Sequence, residues 1–564
     1  MERRSARRVF GSIMLLIAWT ALLTYWSSGW TRSQFEVPPA WDHALYLSMS
    51  LRFNRSLEKE GAAAVVRQIL HQPSPVAPLF PLTTIPLYRV LGESREVAQL
   101  TLAPYLFLLL LGTALSAASG GASPWTIALS VFLISTFTGV VNFSREYMMD
   151  LPAAAFTTLG LWALSRRGPS LPAGFLAGVA SLTKVLASVF FVGPIVYCLF
   201  AGERRKVLIF CAACLATAGV WYAPHFADVL HYVRYYGFGD GSLPFRSGTH
   251  PGYYARILVT QGVGWLLSAV LVGSLVLAWR RVRPDPFLFV WIASGYALLA
   301  ILPNKGGERY LLALLPPLAV LGARAIARVE PPSARGALVV LALVAGALNY
   351  AAITWPSSLS RWTHNHFRPF PHAMPLEARE MSGWPTTEVL RWLGELRQRS
   401  LARSDLESFV ESARGLDDEA FVEAAYREWL KREPDPSGRK AYLESLSKRS
   451  RMEVIESILR SEEFRLRPLR VVVVPDHRVF NAATLQYLAE AERRPLSFGR
   501  PAEGRDVEEA DAAILKAGGP QRPWPGDVVP PEILEEIERR AGDSSSFLCP
   551  DGSRILVLAL RSGS

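Results

Sequence analysis

The residues best placed to do chemistry follow the first apolar run, in Pro38-Pro39-Ala40-Trp41-Asp42-His43-Ala44-Leu45-Tyr46 and on through Leu47 to Phe53. Paired prolines favour a helix start, since a first-turn proline lacks only an N–H that would have no helical acceptor. Helical spacing stacks Trp41, Leu45, Met49 and Phe53 as an apolar stripe, with Asp42, Tyr46 and Ser50 in the neighbouring column. Such a helix, lying on a membrane surface, holds the Asp42 carboxylate at the water–lipid boundary. A first-turn acid also suits the helix dipole without any chemistry, so Asp42 alone does not define a site. Further charged residues stand at the ends of later apolar runs. They are Arg145, Glu146 and Asp150 in one short loop, Lys184 in Thr183-Lys184, and Lys305 and Arg309 in Asn304-Lys305-Gly306-Gly307-Glu308-Arg309-Tyr310. A charge inside a membrane hairpin is costly unless paired, which singles out Lys184. Arg309 has the alternative of an anchor that snorkels to the interface, and Arg145 with Asp150 or Glu146 that of a structural ion pair.

The scaffold that must position these groups is membrane-embedded. Of 564 residues, 50% are hydrophobic and sixteen are tryptophan; mean hydropathy is +0.19 and the pI is near 9.5. The net charge of +11 does not mark a nucleic-acid binder, because the arginines sit in short clusters between apolar runs, as topology signals do. Cys198, Cys211 and Cys214 lie in apolar runs and only Cys549 in a soluble stretch, which argues against a disulfide framework. The Cys211-x-x-Cys214 spacing, with no histidine nearby, reads as packing. No cluster has metal-ligand spacing, although His364, His366 and His372 are loosely grouped.

Arg3-Arg4 and Arg7-Arg8 precede an apolar run, Val9 to Trp30, that is too long for a signal peptide and reads as an uncleaved first span. Further spans are expected near 97–118, 123–142, 149–165, 207–225, 258–279, 286–302, 310–327 and 336–354, with no internal repeat in the two halves and no interrupted spans in matching positions. The stretch 172–200, flanked by Arg166-Arg167 and Arg204-Arg205-Lys206, reads as a hairpin of two short helices with Thr183-Lys184 at its outer tip. That makes about eleven spans, with the N-terminus cytoplasmic and everything after Trp355 outside. The outer loops include 31–96, with a proline-punctuated stretch from Pro75 to Gly92, and the aromatic loop 224–257.

The soluble C-terminal part reads as a small α/β unit: helix 385–399, buried strand 470–475, helix 479–492, strand 512–516, helix 531–541 and strand 554–560. Between its first helix and first strand, residues about 401–467 turn charged and helical. The division is therefore 1–355 in the membrane, 356–400 with 468–564 as the outer α/β domain, and 401–467 as an insert. Arg432-Glu433-Pro434-Asp435-x-x-Gly438 and the ending Ser461-Glu462-Glu463-Phe464 resemble a small helical domain of unknown function found in bacterial surface proteins and related in pattern to phycobilisome linkers.

Four elements in order — Asp42-x-x-x-Tyr46, Arg145-x-Tyr147-x-x-Asp150-Leu151-Pro152, Gly174-x-x-x-Gly178 to Lys184, and Arg309-Tyr310-Leu311-Leu312 to Pro316-Pro317 — carry a resemblance. The chain resembles the GT-C superfamily of polytopic glycosyltransferases, in the branch of protein O-mannosyltransferases and lipid A aminoarabinose transferases, over residues 9 to about 400 and 469–564. Two departures stand out. Many relatives carry Asp-Glu where this chain has Asp42-His43, and a Lys-Pro-Pro-Leu element where Val76-Ala77-Pro78-Leu79 lacks the cation. The resemblance implies an α-helical polytopic protein that moves a sugar from a polyprenyl-phosphate donor to a hydroxyl of a glycan, lipid or protein at the outer face, with inversion. It implies Asp42 as base, with His43, Tyr46, Arg145, Glu146 and Asp150 near the substrates and Lys184, Lys305 and Arg309 on the donor phosphate. Neither a metal nor a cofactor is expected. The rival readings are a transporter or flippase of lipid-linked sugars and a glycan ligase or polymerase.

Overall fold

The computed structural model describes residues 2–33, 38–71, 76–168, 170–234, 252–281, 285–302, 307–355, 362, 383–399, 403–475, 480–501, 504–517, 530–550 and 552–560. Contacts divide the chain into one compact unit of Met1–Glu36 with Met49–Arg379 and another of Val37–Ser48 with Glu380–Ser564. The boundary runs through the helix Trp41–Glu60, so Asp42 belongs to the second unit.

The first unit is built of apolar helices. Among the described residues, five helices are long and apolar enough to cross a membrane, with windows at Gly11–Ser28, Arg95–Ser119, Arg204–Tyr222, Gly307–Arg328 and Pro332–Thr354. Shorter apolar helices, Pro124–Thr136, Leu171–Thr183, Val185–Phe200 and Pro286–Ile301, fall where further spans are expected. Small residues set the packing around Lys184. The helix Leu171–Thr183 lies against Arg204–Tyr222 and Asp150–Ser165. A Cβ on Gly174 would come 2.3 Å from the Phe210 carbonyl oxygen, and one on Gly178 2.6 Å from Thr217 Cβ. The Gly-x-x-x-Gly spacing thus lets two backbones approach closely. The expected hairpin tip is a helix break: Lys184 is extended (φ −154°, ψ 125°) between Leu171–Thr183 and the 3-10 turn Val185–Ser188.

Two expectations need correction. The expected span 258–279 is not one helix: Gly252–Gly262 and Trp265–Ala278 meet at 110°. Gly264, at φ +92°, makes the corner, and Asn349 braces it by donating to Thr136 O (2.6 Å) and Val263 O (3.4 Å). Hydropathy does not register such a corner, because both arms stay apolar. The second correction concerns Trp41–Glu60, expected to lie on a surface. Burial instead runs round it, taking in His43, Tyr46, Leu47, Ser50 and Asn54. Its polar residues are accommodated inside: Ser50 Oγ lies 3.1 Å from the Tyr88 hydroxyl and Asn54 donates to Glu93 at 2.8 Å.

The second unit holds a five-stranded sheet, β1 (Leu469–Val473), β2 (Leu496–Gly499), β3 (Ala512–Ala517), β4 (Ala541–Leu548) and β5 (Arg554–Leu560), ordered β2-β1-β3-β5-β4. β1 pairs parallel with β2 and β3, while β5 pairs antiparallel with β3 and β4. β2 and β4 go beyond the sequence reading. β2 has only four residues after a turn with Arg493 at φ +54°, and β4 is a polar edge, Ala-Gly-Asp-Ser-Ser-Ser-Phe-Leu, without apolar alternation.

The helices Arg403–Ser412, Asp418–Ala425, Pro436–Leu446 and Arg451–Arg460 close over a core of Phe421, Val422, Tyr426, Leu430, Ile455 and Phe464. The motif residues explain themselves physically. Arg432 reaches Glu463 (2.5 Å) and Asp435 (3.2 Å) and lies over the Tyr426 ring at 5.1 Å. Asp435 caps Gly438 N–H, and Gly438 is small because a Cβ there would come 2.3 Å from the Tyr426 hydroxyl.

Candidate functional site

Within the first unit, three sequence-named residues converge. Asp150 opens the helix Asp150–Ser165, where a carboxylate complements the positive end of the dipole. Its Oδ1 accepts from Lys184 Nζ at 2.5 Å; the side chains are 2% and 18% exposed, respectively. Lys184 Nζ also lies over the Tyr310 ring, 5.0 Å from its centroid, and Arg309 Cζ lies over the same ring at 5.5 Å. Arg309 and Tyr310 sit in the 3-10 turn Gly307–Leu314 that leads into the helix Leu315–Arg328. The result is two cations at one aromatic face-rich point, with one of them held by a buried carboxylate. An ammonium has three donors, and Asp150 engages one. With the residual exposure of Lys184, the others can reach an anionic oxygen. Lys305 lies outside the described residues.

Arg145 is placed differently. It is 1% exposed, and it donates to Ser27 Oγ (3.2 Å), Ile353 O (3.4 Å) and Thr354 Oγ1 (2.5 Å), 5.3 Å from the Tyr350 ring centroid. These contacts tie the helices Glu2–Ser33 and Pro332–Thr354 together. Glu146 is half-buried beside it. Of the aromatic loop, Tyr254 is fully buried, whereas Tyr235, Tyr236 and Phe238 lie outside the described residues.

Within the second unit, Asp42 is half-buried in the first turn of Trp41–Glu60. With Trp41 and Leu45 it lines a crevice of about 200 Å³ completed by Val473, Pro475, Asn481 and Arg500. Those residues lie at the C-terminal ends of β1 and β2 and at the start of the helix Ala482–Ala491. Ligand crevices of open α/β sheets form at that edge, beside the strand where the order reverses, here β1. His43 in the same turn and Tyr46 one turn on, each 8% exposed, are buried. Sequence reasoning names neither Tyr310 as the platform for both cations nor Arg500 as a wall of the Asp42 crevice. The Arg309-Tyr310 adjacency was the available signal for the first. None existed for the second, since Arg500 lies far from Asp42 in sequence.

Residues 399–467 match the family described as "Domain of unknown function (DUF4214)". No curated protein matches the chain by sequence. Two solved structures from Cupriavidus metallidurans are similar over nearly the whole length. ArnT bound to undecaprenyl phosphate has 15% identity and a TM-score of 0.55, covering 98% of each chain. ArnT in the apo state has 14% identity and a TM-score of 0.52, covering 98% of this chain and 99% of the other. With its apolar helices, the chain is an integral membrane protein with the fold of ArnT, and it carries a DUF4214 domain at residues 399–467.

Proposed function

We propose that this chain is a glycosyltransferase that takes a sugar from a polyprenyl-phosphate donor and transfers it, with inversion, to a hydroxyl of an envelope glycan, lipid or protein. The observation that carries the reading is the convergence of Lys184 and Arg309 on Tyr310, with Lys184 held by Asp150. The fold it occurs in is that of ArnT, which has been crystallised with undecaprenyl phosphate. In the reaction the acceptor oxygen bonds to the anomeric carbon as the bond to phosphate oxygen breaks, and the electron pair leaves on the phosphate. Lys184 and Arg309 neutralise that leaving group, and Asp150 keeps the ammonium oriented. Asp42 takes the hydroxyl proton, an effect worth roughly 10²–10⁴-fold.

An outer-face reaction is supported by the placement of these residues on their helices. Asp150, Lys184 and Arg309 each stand at the end of a helical segment opposite an arginine-bearing end, Arg166-Arg167 or Arg328, and such clusters mark cytoplasmic ends. The bend at Gly264 favours the rival reading of a transporter, in which broken spans are common. Two measurements test the proposal. Purified protein should bind undecaprenyl phosphate, and Lys184→Met should weaken binding by about ten- to a hundredfold through loss of a charge-assisted contact. Deleting the gene should remove one sugar mass from envelope glycans, lipids or proteins. Equal binding by wild type and variant would end the phosphate-site reading, and an unchanged envelope would end the transferase reading.

A further inference from the structure

We propose that the helix Ala482–Ala491 of the sheet-containing unit is the positioning element for Asp42, acting through Thr484 and Glu490. The proposal rests on the reading of Asp42 as base. Thr484 Oγ1 donates to the Pro39 carbonyl at 2.9 Å, across 445 residues of chain. Glu490 Oε2 accepts from Ser48 Oγ at 2.5 Å. The two contacts occur in the same order along both segments, Pro39 before Ser48 and Thr484 before Glu490. Six residues of helix advance about 9 Å, so the anchors straddle Asp42 rather than repeat one contact.

Each anchor is itself braced. Thr484 is fully buried, and its N–H donates to Asn481 Oδ1 at 3.0 Å. Pro39 is buried too and has no N–H, so its carbonyl is the only backbone polar group by which that residue can be gripped. Removing the Thr484 hydroxyl would strand that carbonyl away from water. Glu490 Oε1 accepts from Gln486 Nε2 at 2.8 Å, and Gln486 Oε1 accepts from the Phe498 N–H at 2.8 Å. Phe498 lies in β2, an edge strand with a ladder partner on one side only. An edge N–H is thereby turned to holding Ser48. Between the anchors, Asp42 faces the crevice of about 200 Å³ instead of being packed shut. The helix therefore fixes where the carboxylate points while leaving it reachable.

The test uses the full-length protein in detergent and in a gene-deletion strain. Thr484→Val keeps shape and loses the hydroxyl, and Thr484→Ser restores it. In Thr484→Val, amide exchange over residues 41–48 should accelerate about tenfold, the loss expected for one buried hydrogen bond. Restoration of the missing envelope sugar should fall by about tenfold or more, because a base displaced by an ångström transfers poorly. Undecaprenyl phosphate affinity should stay at the wild-type value, and Thr484→Ser should recover both exchange protection and transfer. Unchanged exchange in Thr484→Val would overturn the proposal, as would a transfer loss matched by lost undecaprenyl phosphate affinity. Should Thr484→Val not fold, Ser48→Ala removes the other anchor and is judged by the same readouts. Asp42→Asn with wild-type transfer would sink the base reading alone, and exchange over 41–48 would still decide whether the helix holds the segment.

Discussion

A carboxylate in a first helical turn and a carboxylate paired with a lysine do different work, and two substitutions separate them. Asp42→Asn keeps size and hydrogen bonding but cannot accept a proton, so transfer should fall by roughly two to four orders of magnitude. The dipole contribution lost is only about 0.3–1 kcal/mol, so detergent stability should hold. Undecaprenyl phosphate affinity should survive as well; wild-type transfer by this variant, scored by the envelope sugar, would refute the base. Asp150→Asn should behave in the opposite sense. It leaves the Lys184 ammonium without its buried counter-charge, a loss of about 3 kcal/mol or more, read as a drop in melting temperature. Adding Lys184→Met should recover part of that loss, since the two side chains are coupled. At this scale the sequence names Asp42, Asp150, Lys184 and Arg309 by type and place. The convergence on Tyr310 was illegible, because it joins three helical segments whose mutual packing no local pattern encodes.

Elements are where small residues and caps decide outcomes. Gly174 faces a backbone carbonyl 2.3 Å from any added Cβ, and a carbonyl cannot swing aside as a side-chain tip can. Gly174→Val should therefore cost about 1–3 kcal/mol or abolish folding. Thermal melts in detergent would show it, and a wild-type melt would refute the close crossing. In the DUF4214 domain, the Ser437 hydroxyl, the Gly438 N–H and Arg432 all donate to Asp435 and hold its carboxyl well below the usual range. A depressed folded value means a contribution present above the ordinary carboxylate value of 3.8 and lost as pH falls through the folded one. Exchange over 436–446, corrected for intrinsic rate, should thus be faster at about pH 3 than at about pH 6, and Asp435→Asn should erase the difference. The helical character of this domain was legible in its composition and turn motif, whereas its caps, Asp435 and the capping box Ser450/Glu453, come from the structure. β4 was not, because an edge strand open to water needs no apolar face.

For the whole molecule the arginine distribution makes a single strong statement. It predicts a cytoplasmic N-terminus, about eleven spans in all, and residues 356–564 outside. Reporter fusions after Arg335 and after Trp355 should report opposite sides, since the helix Pro332–Thr354 separates them. Equal signals at the two points would refute this topology.

The sequence by itself determined the class of the molecule and its charged inventory. Apolar runs, arginine clusters and proline or glycine punctuation are local signals, and each acts through hydration or backbone geometry within a few residues. It also determined the insert, whose turn motif specifies its own contacts. Only the tertiary structure decided that Arg145 is locked to Ser27 and Thr354, that Lys184 pairs with Asp150, and that the Asp42 segment is gripped by Thr484 and Glu490. Those contacts close loops of tens to hundreds of residues. Whether such loops close depends on packing summed over the whole fold, which no stretch of sequence carries alone.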